Sequence, residues 1–102
     1  MRVLHLLKSN KYSGAENVVL TIMDVCSDMD MVYASPDGSI REVVESRGHE
    51  FYPLTRPTIR EVKKAIRELH PDVIHAHDFT MASTAAWAAG DIPVVAHLHN
   101  NP

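Results

Sequence analysis

Two histidines and a carboxylate within four residues, His75-Ala76-His77-Asp78, are the side chains of this 102-residue chain best placed to do chemistry. Val73 and Ile74 before them form the β-branched apolar pair of a strand covered on both faces, so the imidazoles fall at that strand's far end. Residues two apart on a strand share a face, separated by about 6 to 7 Å. One use of such a rim is a polar-ligand pocket lined by His77 and His99. The other is zinc held among His5, His75, His77, His97 and His99 with Asp78. No cysteine or second carboxylate is placed to complete a tetrahedral set, so the pocket is favoured and neither a metal nor a cofactor is expected. His75 and His97 then serve as hydrogen-bonded core residues.

A second candidate lies near the N-terminus. Gly14 opens a helix after the polar loop 8–12, where free N–H groups and the helix dipole favour a phosphate. A glycine there lets the anion approach closely, and Lys8 and Lys11 add positive charge. The competing use is a capping box, with Ser13 and Glu16 at the right spacing. There is no G-x-G-x-x-G and no Walker lysine, so a dinucleotide site of the usual kind is not indicated.

The elements that must position these groups alternate along the chain. Strands are expected at residues 3–7, 31–34, 51–54, around 73–77 and at 93–99. The first helix carries a stripe of Val18, Ile22 and Val25 or Cys26, flanked by Val19 and Met23. Ser39 with Glu42 reads as a capping box for a short helix that turns Ile40, Val43 and Val44 inward, and Gly48 fits the left-handed residue that ends it. Thr58 with Glu61 repeats the box ahead of the seam Ile59, Val62, Ile66, Leu69, which His70-Pro71 stops. A small-residue helix over 79–89 closes at Gly90. This alternation predicts an α/β, Rossmann-like three-layer sandwich: a five-stranded parallel sheet in the order 3-2-1-4-5, with helices on both faces. The chain direction reverses between strands three and four, leaving a crevice where residues 8–14 face residues 77–79.

Composition limits the partners. Thirteen acidic against ten basic residues give a net charge of -3, which offers no electrostatic case for nucleic acid. One cysteine, Cys26, excludes an internal disulfide, and a hydrophobic content of 45% suits a globular core. With no signal peptide or membrane span legible, the cytoplasm is the default compartment. Arg60, Lys63, Lys64 and Arg67 make a basic stripe opposite the apolar seam, either a solvated face or a peripheral contact with anionic lipid. Val94, Val95, Ala96 and Leu98 would make the last strand an exposed apolar edge, which a second copy of the chain could close as a homodimer.

Four segments in order carry a family resemblance: Arg2-Val3-Leu4-His5-Leu6-Leu7 with Ser13-Gly14-Ala15-Glu16-Asn17-Val18-Val19-Leu20; Gly48-His49-Glu50-Phe51-Tyr52-Pro53-Leu54; Pro71-Asp72-Val73-Ile74-His75-Ala76-His77-Asp78; and Ile92-Pro93-Val94-Val95-Ala96-His97-Leu98-His99. Together they resemble family 4 glycosyltransferases of the GT-B fold. The resemblance implies a retaining transfer of sugar from a nucleotide-sugar donor to a sugar or lipid-linked acceptor, usually without a metal. It also implies that residues 1–102 are part of the N-terminal, acceptor-binding domain of a two-domain enzyme, inactive alone. By the same resemblance Gly14 and Ser13 lie by the donor diphosphate, His77 lies beside the transferred sugar as the catalytic position, and Asp78 and His99 line the acceptor side. The family's Glu-x7-Glu motif is not within these residues. A stand-alone Rossmann-like module that binds a ligand or partner without catalysis is the alternative.

Overall fold

The computed structural model describes residues 1–11 and 14–97. In chain order the elements are β1 (Arg2–Leu6), α1 (Gly14–Val25), β2 (Asp30–Ser35), α2 (Ser39–Ser46), β3 (Glu50–Pro53), α3 (Ile59–Leu69), β4 (Val73–Ala76), α4 (Phe79–Ala88) and β5 (Val94–Ala96). All pairings are parallel and the sheet order is β3-β2-β1-β4-β5, as the alternation of elements required. The expected fifth strand is present but shorter, as Val94–Ala96 without Pro93 and His97, and residues 98 and 99 lie outside the described residues. Among the described residues no helix is long and apolar enough to cross a membrane.

Alternation along each strand divides the core in two. Leu4, Leu6, Val32, Ala34, Ile74 and Ala76 pack with Val62, Ala65 and Leu69 of α3 and Met81 and Ala85 of α4. Leu7, Tyr33 and Phe51 pack on the opposite face with Val19, Leu20 and Met23 of α1 and Ile40 and Val44 of α2. The register His5↔Tyr33 and His5↔His75 then sets His5 and His75 side by side on the α1 face of the sheet. That face loses its cover toward β5, where Val95 is 51% exposed.

Three local readings are corrected. The α1 face is not Val18, Ile22 and Val25: the buried residues are Glu16, Val19, Leu20 and Met23, while Val18 and Val25 are exposed. Both stripes are apolar, but Val19, Leu20 and Met23 bury the larger side chains, and Thr21 belongs to the outer face with Val18 and Val25. The seam of α3 likewise shifts, with Val62, Ala65 and Leu69 buried and Ile59 at 40% exposure. Ser39 does not cap α2. Gly38 holds the cap position without a side-chain bond, and the Ile40 N–H donates instead to the Asn10 carbonyl at 3.1 Å.

Other stops and starts follow their sequence signals. Thr58 caps α3 by accepting from the Glu61 N–H, although its own N–H donates to the Arg56 carbonyl rather than completing a box. Gly48 and Gly90 take positive φ after α2 and α4, and His70 ends α3 in the left-handed region at φ 50°.

Candidate functional site

The crevice lies between the C-terminal ends of β1 and β4, where the order of strands reverses. The ladder runs on past the strands themselves: the Leu7 N–H donates to Ala34 O and the His77 N–H to Leu6 O, each at 3.0 Å. His77 therefore sits on rigid backbone and is buried, at 2% exposure.

Asp78 fastens the two walls together. It is the N-cap of α4, where Oδ1 accepts from the Met81 N–H at 2.8 Å, and its Oδ2 accepts from the Lys8 N–H at 2.7 Å. The loop after β1 is tied on its other side to α2. Asn10 accepts from Ile40 N through its carbonyl and donates from Nδ2 to Asp37 O at 3.0 Å. Gly38 is needed for that approach, since a Cβ there would lie 2.8 Å from Asn10 side-chain atoms.

These contacts enclose a cavity of about 550 Å³ with Lys8, Ser9 and Asn10 on one wall, Ala15 and Glu16 on the next, and His77, Asp78, Phe79 and Thr80 across from them. Two helix N-termini meet it. That of α4 already has a carboxylate, Asp78, in the anion position. That of α1 begins at Gly14, where the space a Cβ would take is open to 4 Å, and Glu16 in its first turn is buried at the cavity wall. Both Glu16 and Asp78 add negative potential toward Tyr33 beneath, whose phenol is pushed well up, chiefly by burial.

Behind the cavity stand the imidazoles. His5 Nδ1 and His77 Nε2 are 2.9 Å apart, a buried hydrogen bond between β1 and the end of β4. His75 stacks on His77 with ring centroids 3.9 Å apart, and His97 lies 5.8 Å from His75. Burial, followed by the nearby His75, pushes the His5 imidazole down from 6.5 to about 4, so it is neutral at neutral pH. The ligand nitrogens of His5, His75 and His77 lie within 4.8 Å of one another, close enough in distance for a metal ion. Zinc takes each imidazole nitrogen along the ring plane at about 2.0 to 2.1 Å. Rings stacked face to face direct those lone pairs alongside one another, not at a common point, and an ion would also break the His5–His77 bond.

The residues expected at the site are thus distributed unevenly. His77 and Asp78 both face the crevice, but both Asp78 oxygens are engaged by the chain's own N–H groups. Gly14 heads α1 beside it, and Ser13 and His99 lie outside the described residues. Three partners were not anticipated: His5 as the hydrogen-bond partner of His77, Glu16 as a wall residue, and Asn10 as the peg for α2. His5 had a signal, since Leu4-His5-Leu6 places a polar side chain in the middle of a buried strand, where it needs a partner.

Comparison with known proteins agrees with this fold. The sequence matches the family model of Glycosyltransferase Family 4 over residues 12–102. No curated protein matches it. Two solved structures of Alr3699/HepE from Anabaena are similar in fold. The one in complex with UDP-glucose has a TM-score of 0.82 at 24% identity, covering 98% of this chain and 29% of that chain. The one in complex with UDP and glucose has a TM-score of 0.83 at 23% identity, covering 98% and 30%. The present chain therefore spans less than a third of the length of those chains.

Proposed function

Since the chain belongs to Glycosyltransferase Family 4, we propose that it supplies the acceptor-side half of a retaining transferase acting on a nucleotide-sugar donor. The observation that carries this reading is the crevice itself: a cavity of about 550 Å³ at the strand-order reversal, with His77 on its inner wall and the first turn of α1, which begins at Gly14, beside it. Gly14, with Ser13 before it, offers N–H groups to the donor diphosphate. His77 holds a sugar hydroxyl or the charge that develops on the sugar as the diphosphate departs. Asp78 keeps the loop of residues 8–10 and the start of α4 in register, so that both reach the ligand; His99 completes the acceptor side. The binding of UDP-glucose by the structural neighbour supports a nucleotide-sugar as the donor class.

Transfer needs hydrogen-bond donors and charges around the leaving diphosphate from more than one side. This chain provides one side, so the base and ribose are held by a second domain, and residues 1–102 alone do not transfer sugar. The protein works in the cytoplasm, with the exposed basic face of α3 resting against anionic lipid and the β5 edge closed by a second copy where no further chain covers it. In the two-domain enzyme, His77→Ala lowers kcat more than it raises KM, because a contact that strengthens in the transition state is lost. An unchanged kcat would leave His77 as a structural histidine and remove the catalytic part of the reading.

A further inference from the structure

We infer that His5 is a positioning residue which, oriented by Met31, fixes His77 in a single tautomer with its proton on Nε2 and its Nδ1 as a hydrogen-bond acceptor. Four atoms in sequence decide the assignment. Met31 Sδ lies 3.4 Å from His5 Nε2. A thioether sulfur has no proton to give, so the hydrogen of this contact belongs to His5 Nε2. His5 is 1% exposed, and the contacts of its ring nitrogens are with an imidazole and a thioether, neither of which carries a counter-charge, so the ring holds one proton. With that proton on Nε2, His5 Nδ1 is an acceptor. The 2.9 Å bond from Nδ1 to His77 then requires His77 Nε2 to donate. A neutral His77 consequently carries its lone pair on Nδ1. Burial, the stacked His75 ring and the bond to His5 keep the imidazole from turning over to exchange the two nitrogens.

The chemical consequence rests on the transferase reading given above. An Nδ1 acceptor takes a hydrogen bond from a hydroxyl group and cannot donate one to a phosphate oxygen or a carbonyl. On that reading His77 would meet a sugar hydroxyl as an acceptor and would not donate to the diphosphate, which is left to the N–H groups at the start of α1. Met31 suits the first position in the relay because its unbranched thioether reaches across from β2 to the face of β1 and accepts weakly, without the charge a carboxylate would add.

Long-range 1H–15N correlation spectra of the 102-residue chain, labelled at histidine, test the assignment without any turnover. The expected result is a protonated Nε2 and a lone-pair Nδ1 for both His5 and His77, each as a single tautomer. Met31→Leu, which nearly conserves volume, is expected to release His5 into a mixture of tautomers and to take His77 with it. A proton on Nδ1 of His5 in the unaltered chain would overturn the inference, as would unchanged spectra in Met31→Leu. The two readings fail separately: a confirmed tautomer with a kinetically silent His77→Ala in the two-domain enzyme refutes the transferase role and leaves the relay standing.

Discussion

Lowering the pH should destabilise this fold through His5 before its carboxylates respond. The group is 1% exposed, with its imidazole pushed down from 6.5 to about 4 by burial and then by His75. A depressed histidine value means that the unfolded chain takes up a proton which the native state refuses, so stability is fully present above about pH 6.5 and falls as the pH drops toward about 4. Between those values the slope approaches about 1.4 kcal/mol per pH unit, and integration gives roughly 2 kcal/mol lost from about pH 7 to about pH 5, and about 3 kcal/mol once both states are protonated. For a domain of this size that first loss lowers the thermal midpoint by roughly 10 °C. Asp24 is held below the ordinary carboxylate value chiefly by its hydrogen bond from His49, so its contribution is lost only at lower pH and does not blur the window. Urea titrations at a series of pH values, for the chain and for His5→Phe, measure the effect. The variant starts lower, since His77 loses a buried partner, but its stability should be nearly flat where that of the parent chain falls. Parallel slopes in the two proteins, or His5 protonating near 6.5 in a native-state NMR titration, would refute the reasoning.

Other perturbations test separate links. Asp78→Ala removes the α4 cap and the clasp on Lys8 together, for an expected loss of about 2 to 3 kcal/mol in urea melts; Asp78→Asn, which keeps one acceptor oxygen, should recover part of it, and a near-neutral Asp78→Ala would show that the clasp contributes nothing. Gly38→Ala puts a Cβ 2.8 Å from Asn10 and should cost about 1 to 2 kcal/mol; adding Asn10→Gly relieves the clash, and a pair of variants with simply additive losses would contradict that mechanism. The exposed face of Arg60, Lys63, Lys64 and Arg67 should bind anionic vesicles in co-sedimentation, at about 1 kcal/mol per basic residue near the surface and less at high salt; equal binding to neutral vesicles ends that idea. Light scattering of the 102-residue chain should report a concentration-dependent dimer through the β5 edge, where Val95 is 51% exposed, and a monomer at all concentrations would contradict it.

The sheet was legible because its signals are local and agree with one another. Short β-branched runs, helix stops at Gly48, His70-Pro71 and Gly90, and connections long enough only for crossovers leave few topologies besides the one adopted. Rotation of α1 was not legible. Its eight residues 18–25 include six apolar ones, so period alone allows two faces, and the choice depends on what the sheet opposite can accept. The cap of α2 failed for a related reason. Ser39 and Glu42 have the right spacing, but the helix begins one residue earlier, with Gly38 at the cap and the Ile40 N–H bonded to Asn10, 30 residues before it, across a contact that only tertiary structure creates.

At the site the same division holds, and it bears on where a diphosphate can rest. Period-two spacing put His75 and His77 on one face, but the partnership of His77 with His5 follows from the β1–β4 register, which no spacing within either segment reveals. Nor did Asp78's spacing from Lys8 show that its carboxylate would be consumed by two backbone N–H groups. That use removes one of the two helix N-termini at the crevice from competition for a ligand anion. The other begins at Gly14, where a Cβ would meet nothing within 4 Å, and the buried Glu16 lies in that same first turn. Under the proposed function, a diphosphate drawn to that end is favoured by the N–H groups of α1 and disfavoured along the wall that carries Asp78. Under the proposed function, the phosphates of the donor would then lie toward Gly14 and its sugar toward His77, and a donor that binds as tightly after a carboxylate is introduced beside Gly14 would contradict that placement.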